Sequence, residues 1–225
     1  ERLDRVMEGY VDRGDIAGVV SLVARRGKVV HFSAAGKRDI ENDAPMTHDT
    51  MFRIASMTKP IASVALMMLY EEGHFQLRDP ISKWLPEFKD MTIAVPPPGG
   101  ERIQGRYKVI PAVQPITIQH VLTHTAGLAN SYRGLTQPDF QEMAAKNRPA
   151  DTVGDMLKRL ATLPLNFEPG ERWEYGRGTD IVGRLVEVMS GHTFDTFLRQ
   201  RIFEPLKMTD THFYVPLSKV NRFAA

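Results

Sequence analysis

A serine and a lysine stand three residues apart where an apolar helix is expected to begin, in the stretch FRIASMTKPIASVALMMLYEEG. Residues i and i+3 of a helix lie on one face, roughly 5–6 Å apart at Cβ, so Lys59 can reach the hydroxyl of Ser56. A lysine beside an apolar wall loses solvation, which lowers its pKa and lets it take a proton from a serine. The amides of a helix start can supply one donor of an oxyanion hole. The spacing therefore indicates a nucleophilic serine with its base.

The same residues also have a purely structural interpretation. Serine is a preferred N-cap residue, and Ser-x-x-Lys also arises by chance. Pro60 fits both interpretations, because proline is tolerated in the first helical turn, where backbone N–H groups lack helical partners. The motif alone leaves open whether Ser56 is a nucleophile or a cap.

The elements that must position these residues follow from periodicity and turn residues. Helices are predicted over 3–14, 61–70, from Thr117 to before Gly127, over 152–163, 180–189, and from a cap at Thr193 to 203. The runs Val19–Ala24 and Val29–Ala34, joined through a glycine turn, predict a β-hairpin. Residues 101–115 have only weak strand character. A two-stranded hairpin is marginal in water, so most of the sheet is expected outside this sequence.

Bulk composition is that of a globular protein. The chain has 225 residues, of which 42% are hydrophobic and 25% charged. A net charge of +2 gives no reason to expect nucleic acid or a membrane surface as partner. The absence of cysteine excludes disulfides, thiolate metal sites and a cysteine nucleophile. No apolar run reaches the ~18 residues of a transmembrane helix, and no signal peptide is visible at Glu1.

Other motifs that could carry chemistry are weaker. His120 and His124 have the i, i+4 spacing of a metal pair, but a third ligand is not evident, and packing behind the site is favoured. The segment GRGTDIVG does not match the dinucleotide-binding pattern, and no Gly-x-Ser-x-Gly occurs. We therefore predict neither a metal nor an organic cofactor.

Three blocks resemble the serine β-lactamase and penicillin-binding-protein superfamily, in that family's order. They are FRIASMTKPIASVALMMLYEEGHFQLRDPISKWLPEF, ITIQHVLTHTAGL and FEPGERWEYGRGTDIVGRLVEVMSGHTFDTFLRQRIFEPLKM. The nearest branch is the class C β-lactamase-like carboxylesterases called family VIII. The similarity to this branch lies in the motif SMTK and in Thr179-Asp180 before a helix.

The resemblance implies a role for each matching residue. Ser56 corresponds to the acylated nucleophile, Lys59 to the base that deprotonates it, and Tyr175 to the phenol that relays protons to and from the leaving group. A phenol has a reference pKa near ~10, so it needs a nearby cation to act as a base. Serine, lysine and tyrosine would then form one coupled proton system.

The second family motif departs from the pattern at its third position, where Arg177 stands in place of the usual asparagine. Arginine has five donors and no acceptor, so Arg177 cannot accept a hydrogen bond from Lys59. This argues against efficient β-lactam or peptide hydrolysis but not against ester hydrolysis, unless Arg177 simply points outward. Arg177, Tyr132 and Trp173 are predicted to contact substrate, with packing as the alternative for Trp173.

The resemblance implies a β-lactamase/DD-peptidase-like α+β fold, an antiparallel sheet flanked by helices with a helical insertion domain. The third family motif and most of the sheet would lie beyond Ala225, so the sheet is expected to be incomplete here. The predicted domains are residues 1–80, the N-terminal part of the α/β domain; 81–190, a helical domain; and 191–225, a return toward the α/β domain.

The predicted function is a carboxylesterase-type serine hydrolase that cleaves short acyl esters through an acyl-enzyme on Ser56, with weak β-lactam hydrolysis. The alternatives are an amidase or acyltransferase on the same site, or a non-catalytic protein that binds acyl or peptidoglycan-like ligands. Expected partners are a small ester and the C-terminal remainder of the same enzyme, and a homo-oligomer stays open. The expected location is the bacterial cytoplasm, or the periplasm if a leader was removed.

Overall fold

A computed structural model describes residues 2–225, which form two compact units. One unit comprises the segment up to Ala55 together with Asp210–Ala225, and the other comprises Ser56–Thr209. These boundaries differ from those of the three domains predicted from the sequence, and those domains stay a prediction.

The first unit is built on an antiparallel sheet. Helix α1 (Arg2–Asp12) packs against strands β1 (Gly18–Arg25) and β2 (Lys28–Asp39), and β2 also pairs with the two-residue strand β3 (Ala44–Pro45). The predicted hairpin is confirmed. Its turn residues Arg26 and Gly27 both have positive φ, 51° and 75°, the conformation that suits the twist of a two-residue hairpin.

The C-terminal segment joins this unit through backbone and side-chain contacts. The amide of Met51 donates to the carbonyl of Arg222 at 2.8 Å, and Arg222 Nη2 donates to the carbonyl of Asp49 at 2.7 Å and to Asp210 at 2.6 Å. Two stretches of chain more than 150 residues apart thus meet in one unit.

The second unit is mainly helical. Its elements are α2 (Thr58–Glu71), β4 (Thr92–Val95), β5 (Lys108–Pro111), α3 (Ile118–Leu122), α4 (Gln137–Ala145), α5 (Val153–Leu160), α6 (Gly178–Ser190) and α7 (Phe194–Leu198). A π-helical turn, Arg199–Phe203, continues α7, and β4 and β5 form an antiparallel pair. None of the helices within residues 2–225 combines the length and apolarity needed to cross a membrane.

Helix α6 is the centre of this unit, because α2, α3, α5 and α7 all pack against it. Its buried side chains recur with helical spacing: Ile181, Val182, Leu185 and Val186. Helix α2 contributes the buried Leu66 and Leu69 to the same core and ends before Gly73, whose φ is 81°. The packing of α2 on α6 brings the start of one helix near the start of the other.

Three predictions about elements are wrong. The helix from Thr117 ends at Leu122, because the following turn includes His124 and Gly127 with positive φ. Strands β3 and β4 were not predicted, whereas β5 lies in the segment 101–115, for which weak strand character was predicted. Helix α4 was not predicted either. Thr193 is the N-cap residue of α7 as predicted, and its hydroxyl bonds Thr196 Oγ1 instead of a backbone amide. Each missed element is short or contains proline, so its periodicity is weak.

The α+β class itself is confirmed. Helices and antiparallel strands share the chain, and the remaining predicted helices lie within two or three residues of their expected ends.

Candidate active site

Ser56 lies in a 3-10 turn, Ala55–Met57, directly before α2. The N-cap of α2 is Met57 and has no side-chain capping bond, so Ser56 does not cap this helix. The preceding residue, Ala55, has a φ of 43°. Positive φ is uncommon for residues other than glycine, and such strained positions cluster at functional sites. The Ser56 hydroxyl is therefore not used to cap the helix and is available to other side chains.

The hydroxyl of Ser56 is held between two groups that can move protons. Lys59 Nζ donates to Ser56 Oγ at 2.9 Å, and the phenolic oxygen of Tyr175 lies 2.6 Å from the same oxygen. Lys59 Nζ also lies 4.7 Å from the centroid of the Tyr175 ring. The structure thus brings together the three residues predicted to be catalytic, two from α2 and its leading turn and one from 119 residues later.

The approach of Tyr175 depends on close packing at the start of α6. Gly178 lies three residues after Tyr175, and a Cβ atom there would stand 2.4 Å from the carbonyl oxygen of Val121 in α3. Only glycine allows α3 and α6 to approach this closely. The position of Tyr175 is therefore set by helix packing, which the sequence motif does not reveal.

Aromatic rings surround Tyr175 on several sides. The ring centroids of His124, Tyr132 and Trp173 lie 5.0, 5.9 and 6.5 Å from that of Tyr175. Tyr132 and Trp173 are 66% and 59% exposed, although large aromatic side chains usually bury most of their area. Both predicted substrate contacts thus adjoin Tyr175 and leave apolar area open beside it.

His124 belongs to this aromatic cluster around Tyr175. Its φ is 56°, and its Nδ1 is buried without a hydrogen-bond partner among residues 2–225. Burial, with a smaller effect from the charge of Lys59, lowers the pKa of His124. His120 instead accepts from the amide of Thr117 through Nδ1 in a capping box. Within the described residues, no group of three or more acidic or histidine side chains could hold a metal.

Arg177 lies close to the site but is engaged by its own helix. Its Nη1 is 3.8 Å from the carboxylate of Asp180, and its guanidinium carbon is 5.2 Å from the Phe140 ring centroid. Burial raises the pKa of Asp180, an effect that the charge of Arg177 opposes. The side chain therefore neither contacts Lys59 as the family asparagine is expected to do nor extends freely into solvent.

The electrostatics of the site favour a phenolate at Tyr175. Hydrogen bonding with Lys59, then with Ser56, lowers the pKa of Tyr175, and the charges of Lys59 and Arg177 act in the same direction. A phenol with a lowered pKa forms phenolate more readily than a free tyrosine, which suits Tyr175 to proton transfer. The cluster can accept a proton from Ser56 and return it to a leaving group.

Sequence reasoning missed the polar residues behind Tyr175. Glu174 Oε1 accepts from the side-chain amides of Asn130 at 2.9 Å and Asn166 at 3.1 Å. Glu174 stands next to Tyr175 in the sequence, but no sequence pattern indicated that its partners would be side-chain amides up to 44 residues away.

A second serine with a histidine partner was also missed. In the first unit, Ser21 Oγ lies 2.7 Å from His31 Nε2, and His31 Nδ1 is 3.8 Å from Asp4. Ser33 Oγ shares this cluster at 3.0 Å from Ser21. The side chains are half-buried where α1 packs against the sheet, and Ser21 and Ser33 bond each other as well as the histidine. The cluster is a hydrogen-bonded contact between α1 and the sheet, and it makes Ser21 a necessary control for any serine-directed reagent.

Comparisons with known proteins agree with this site. A family model described as Beta-lactamase matches residues 3–225. Esterase EstB of Burkholderia gladioli is 33% identical over 220 residues, covering 94% of this chain and 51% of EstB. Lovastatin esterase of Penicillium rubens is 31% identical over 215 residues, covering 94% of this chain and 52% of that enzyme. The chain spans about half the length of the curated relatives it matches.

A solved structure is similar over nearly the whole chain. It is described as EstCE1, a hydrolase with promiscuous acyltransferase activity, and it superposes with a TM-score of 0.83 at 30% identity. The match covers 99% of this chain and 55% of EstCE1. The β-lactamase-like fold predicted from the three sequence blocks is confirmed by this neighbour and by the family match.

Proposed function

Because this chain belongs to the beta-lactamase family and resembles hydrolases and an acyltransferase of that fold, we propose that it is a serine hydrolase that cleaves carboxylic esters of short acyl chains. One observation carries the proposal. Ser56 Oγ lies within hydrogen-bond distance of both Lys59 Nζ and the Tyr175 phenol, 2.9 and 2.6 Å. A serine hydroxyl in contact with groups that can accept its proton is activated for attack on an ester carbonyl.

In the first half-reaction, Ser56 Oγ attacks the ester carbonyl carbon while its proton passes to the Lys59–Tyr175 pair. The first amides of α2, which lack helical partners, lie at the positive end of the helix dipole and suit a developing oxyanion. The carbon–oxygen bond to the alcohol then breaks, and the alcohol leaves with the proton from Tyr175. The product is an acyl group esterified to Ser56.

In the second half-reaction, a water molecule replaces the alcohol. Tyr175 takes a proton from the water, whose oxygen bonds to the acyl carbon, and Ser56 regains its proton as the bond to Oγ breaks. The carboxylic acid leaves and the three residues return to their starting states. Atoms and charges balance without any further reactant.

The alcohol leaving group is the reason we propose esters instead of amides. An alkoxide is a better leaving group than an amide nitrogen and needs less help from a positioned donor. Arg177 is engaged by Asp180 at 3.8 Å and has no acceptor with which to hold a substrate amide. We expect β-lactam hydrolysis to be slow for the same reason.

A second candidate function is transfer of the acyl group to an alcohol other than water. The similarity to EstCE1, whose description names acyltransferase activity, favours it. The exposed rings of Tyr132 and Trp173 beside Tyr175 offer an apolar surface on which an alcohol can bind in competition with water. Added alcohol would then raise the yield of new ester at the expense of free acid.

The proposal is tested with a fluorophosphonate probe on the full-length protein, followed by intact mass and peptide mapping. We expect one phosphonyl adduct on Ser56, absent in Ser56→Ala and retained in Ser21→Ala. The same preparations are assayed with an ester and an amide of one acyl group, and we expect faster turnover of the ester. An adduct on Ser21 alone would show that the nucleophile is Ser21, in the first unit. Faster turnover of the amide would show that the protein is an amidase and not an esterase. Folded protein without adduct or turnover would favour a binding protein.

A further inference from the structure

Glu174, which precedes Tyr175 in the sequence, is hydrogen-bonded to a separate loop. Residues 128–136, which we name the Tyr132 loop, carry the exposed Tyr132 ring whose centroid lies 5.9 Å from that of Tyr175. Inside this loop Asn130 is only 1% exposed, and its Oδ1 accepts from the amides of Tyr132 at 2.9 Å and Arg133 at 3.1 Å. Asn130 therefore fixes the turn that presents Tyr132.

The other end of the Asn130 side chain reaches Glu174. Nδ2 of Asn130 donates to Glu174 Oε1 at 2.9 Å, and the same oxygen accepts from Nδ2 of Asn166 at 3.1 Å. Asn166 is 2% exposed, and its Oδ1 accepts from the hydroxyl of Thr136 at 2.8 Å, at the far end of the loop. One carboxylate oxygen thus holds both ends of the Tyr132 loop.

Glu174 is itself held in place by its backbone. Its amide donates to the carbonyl of His124 at 2.8 Å, and the His124 ring packs on Tyr175. The Tyr132 loop must pass close to this network, because a Cβ on Gly134 would stand 2.2 Å from Asn166 Oδ1. A buried side-chain amide that loses its acceptor destabilises the fold, so the loop strongly prefers this arrangement.

We propose that Glu174 is a positioning residue that sets how the Tyr132 ring packs beside Tyr175, and so sets the shape of the exposed aromatic surface that an ester meets next to Ser56. An ester with small acyl and alcohol parts makes little contact with this surface. An ester with an aromatic acyl or alcohol part needs both rings at a fixed spacing, because stacked rings attract over a narrow range of distance. The kinetic part of this inference rests on the proposed ester hydrolysis, whereas the structural part does not.

The first test measures amide hydrogen exchange in the full-length protein. Glu174→Leu removes the acceptor at similar size, and we expect the amides of Tyr132 and Arg133 to exchange about tenfold faster or more, in line with loss of a local hydrogen-bond network. Glu171→Leu, a neighbouring exposed glutamate that pairs with Arg172, is the matched control and should leave these amides unchanged. Unchanged exchange in Glu174→Leu would overturn the proposal.

The second test uses a reversed hydrogen bond, which also serves if Glu174→Leu fails to fold. Asn130→Asp keeps the oxygen that accepts from Tyr132 and Arg133 but removes the donor to Glu174. Adding Glu174→Gln supplies a donor from the other side, so the double variant should recover the exchange protection that Asn130→Asp loses. A double variant no better protected than Asn130→Asp would contradict the proposed link.

The third readout is selectivity. In Asn130→Asp we expect KM for an aromatic ester to rise about 5- to 100-fold, as one lost buried partner implies, while kcat for an acetyl ester of a small alcohol changes less than about threefold. An equal change for both esters would reduce Glu174 to a purely structural residue. Absence of ester turnover in the unsubstituted protein would refute the proposed hydrolysis, and hydrogen exchange would still decide the role of Glu174.

Discussion

At the scale of single residues, the candidate site consists of three ordinary side chains joined by hydrogen bonds. Lys59 donates to Ser56 at 2.9 Å and lies over the Tyr175 ring at 4.7 Å, while Tyr175 contacts Ser56 at 2.6 Å. Because hydrogen bonds link the three side chains, a pH profile of activity reports the set and not one member. The lowered pKa of Tyr175 is still informative, because removing the Lys59 cation must act on the phenol.

Lys59→Met tests this coupling. Hydrogen bonding with Lys59 is the main cause of the lowered pKa of Tyr175, so its removal raises that pKa. We expect kcat/KM to fall by about 10²- to 10⁴-fold, the usual contribution of a positioned proton-transfer group. The rising limb of the kcat/KM–pH profile should move to higher pH, because the phenolate then forms only in more alkaline solution.

Lys83→Met is the control for Lys59→Met, since Lys83 pairs with Asp79 on the surface. It should leave both the rate and the profile as they are. If Lys59→Met lowers the rate with no alkaline shift of the rising limb, Tyr175 is not the group that the profile reports.

At the scale of elements, the start of α6 decides where Tyr175 stands. The helix must approach α3 so closely that a Cβ on Gly178 would lie 2.4 Å from the Val121 carbonyl oxygen. No flexible side-chain end is available to move aside, because the obstacle is backbone. The position of α6 and the distance between Tyr175 and Ser56 are therefore linked through one glycine.

Gly178→Ala should separate α6 from α3 and harm both stability and activity. Overpacking of this kind costs about 1–3 kcal/mol in the free energy of unfolding. We expect that loss in urea denaturation, together with a fall in kcat larger than the change in KM, because Tyr175 moves away from Ser56.

Gly183→Ala on the same helix is a matched control. The atoms nearest to a Cβ there would belong to the Phe194 ring, at an ordinary contact distance of 3.7 Å. Alanine is favoured over glycine within a helix by up to about 1 kcal/mol, so this variant should be as stable as the unsubstituted protein or more stable. Equal destabilisation by both substitutions would show that the Val121 contact is not the cause.

At the scale of the whole molecule, the first unit is assembled from both ends of the chain. Its C-terminal segment is anchored by Arg222, which donates to Asp210 and to the carbonyl of Asp49. Hydrogen bonds from Arg222 and Lys219 hold the pKa of Asp210 well below its ordinary value. A carboxyl with a lowered folded-state pKa stabilises the fold above its unfolded pKa, and this stabilisation is lost as the pH falls through the folded value.

Arg222→Ala should therefore release residues 210–225. We expect a lower unfolding temperature at pH 7, faster exchange of the Met51 amide, and a smaller loss of stability between neutral and acid pH than in the unsubstituted protein. Arg199→Ala breaks a surface pair with Glu204 only five residues away and is the control. An unchanged Met51 amide in Arg222→Ala would mean that the backbone contacts alone hold the segment.

The sequence alone determined the features that depend on neighbouring residues. The Ser56–Lys59 spacing, the hairpin around Arg26-Gly27 and the apolar run of α2 each act within a few residues, so periodicity and turn chemistry were sufficient to predict them. The family resemblance added Tyr175, because its motif is also a local pattern. The helix predicted to run from Thr117 to just before Gly127 ends early for a related reason: His124 adopts positive φ, which is uncommon for residues other than glycine.

Only the tertiary structure decided which distant residues meet. Tyr175 reaches Ser56 across 119 positions because α2 packs on α6, and Glu174 holds Asn130 across 44 because the Tyr132 loop folds over it. Whether Arg177 contacts Lys59 or Asp180 is likewise settled by packing. Contacts of this kind depend on how the apolar faces of different helices pack together. A sequence pattern shows which residues form an apolar face, but it does not show which other face packs against it.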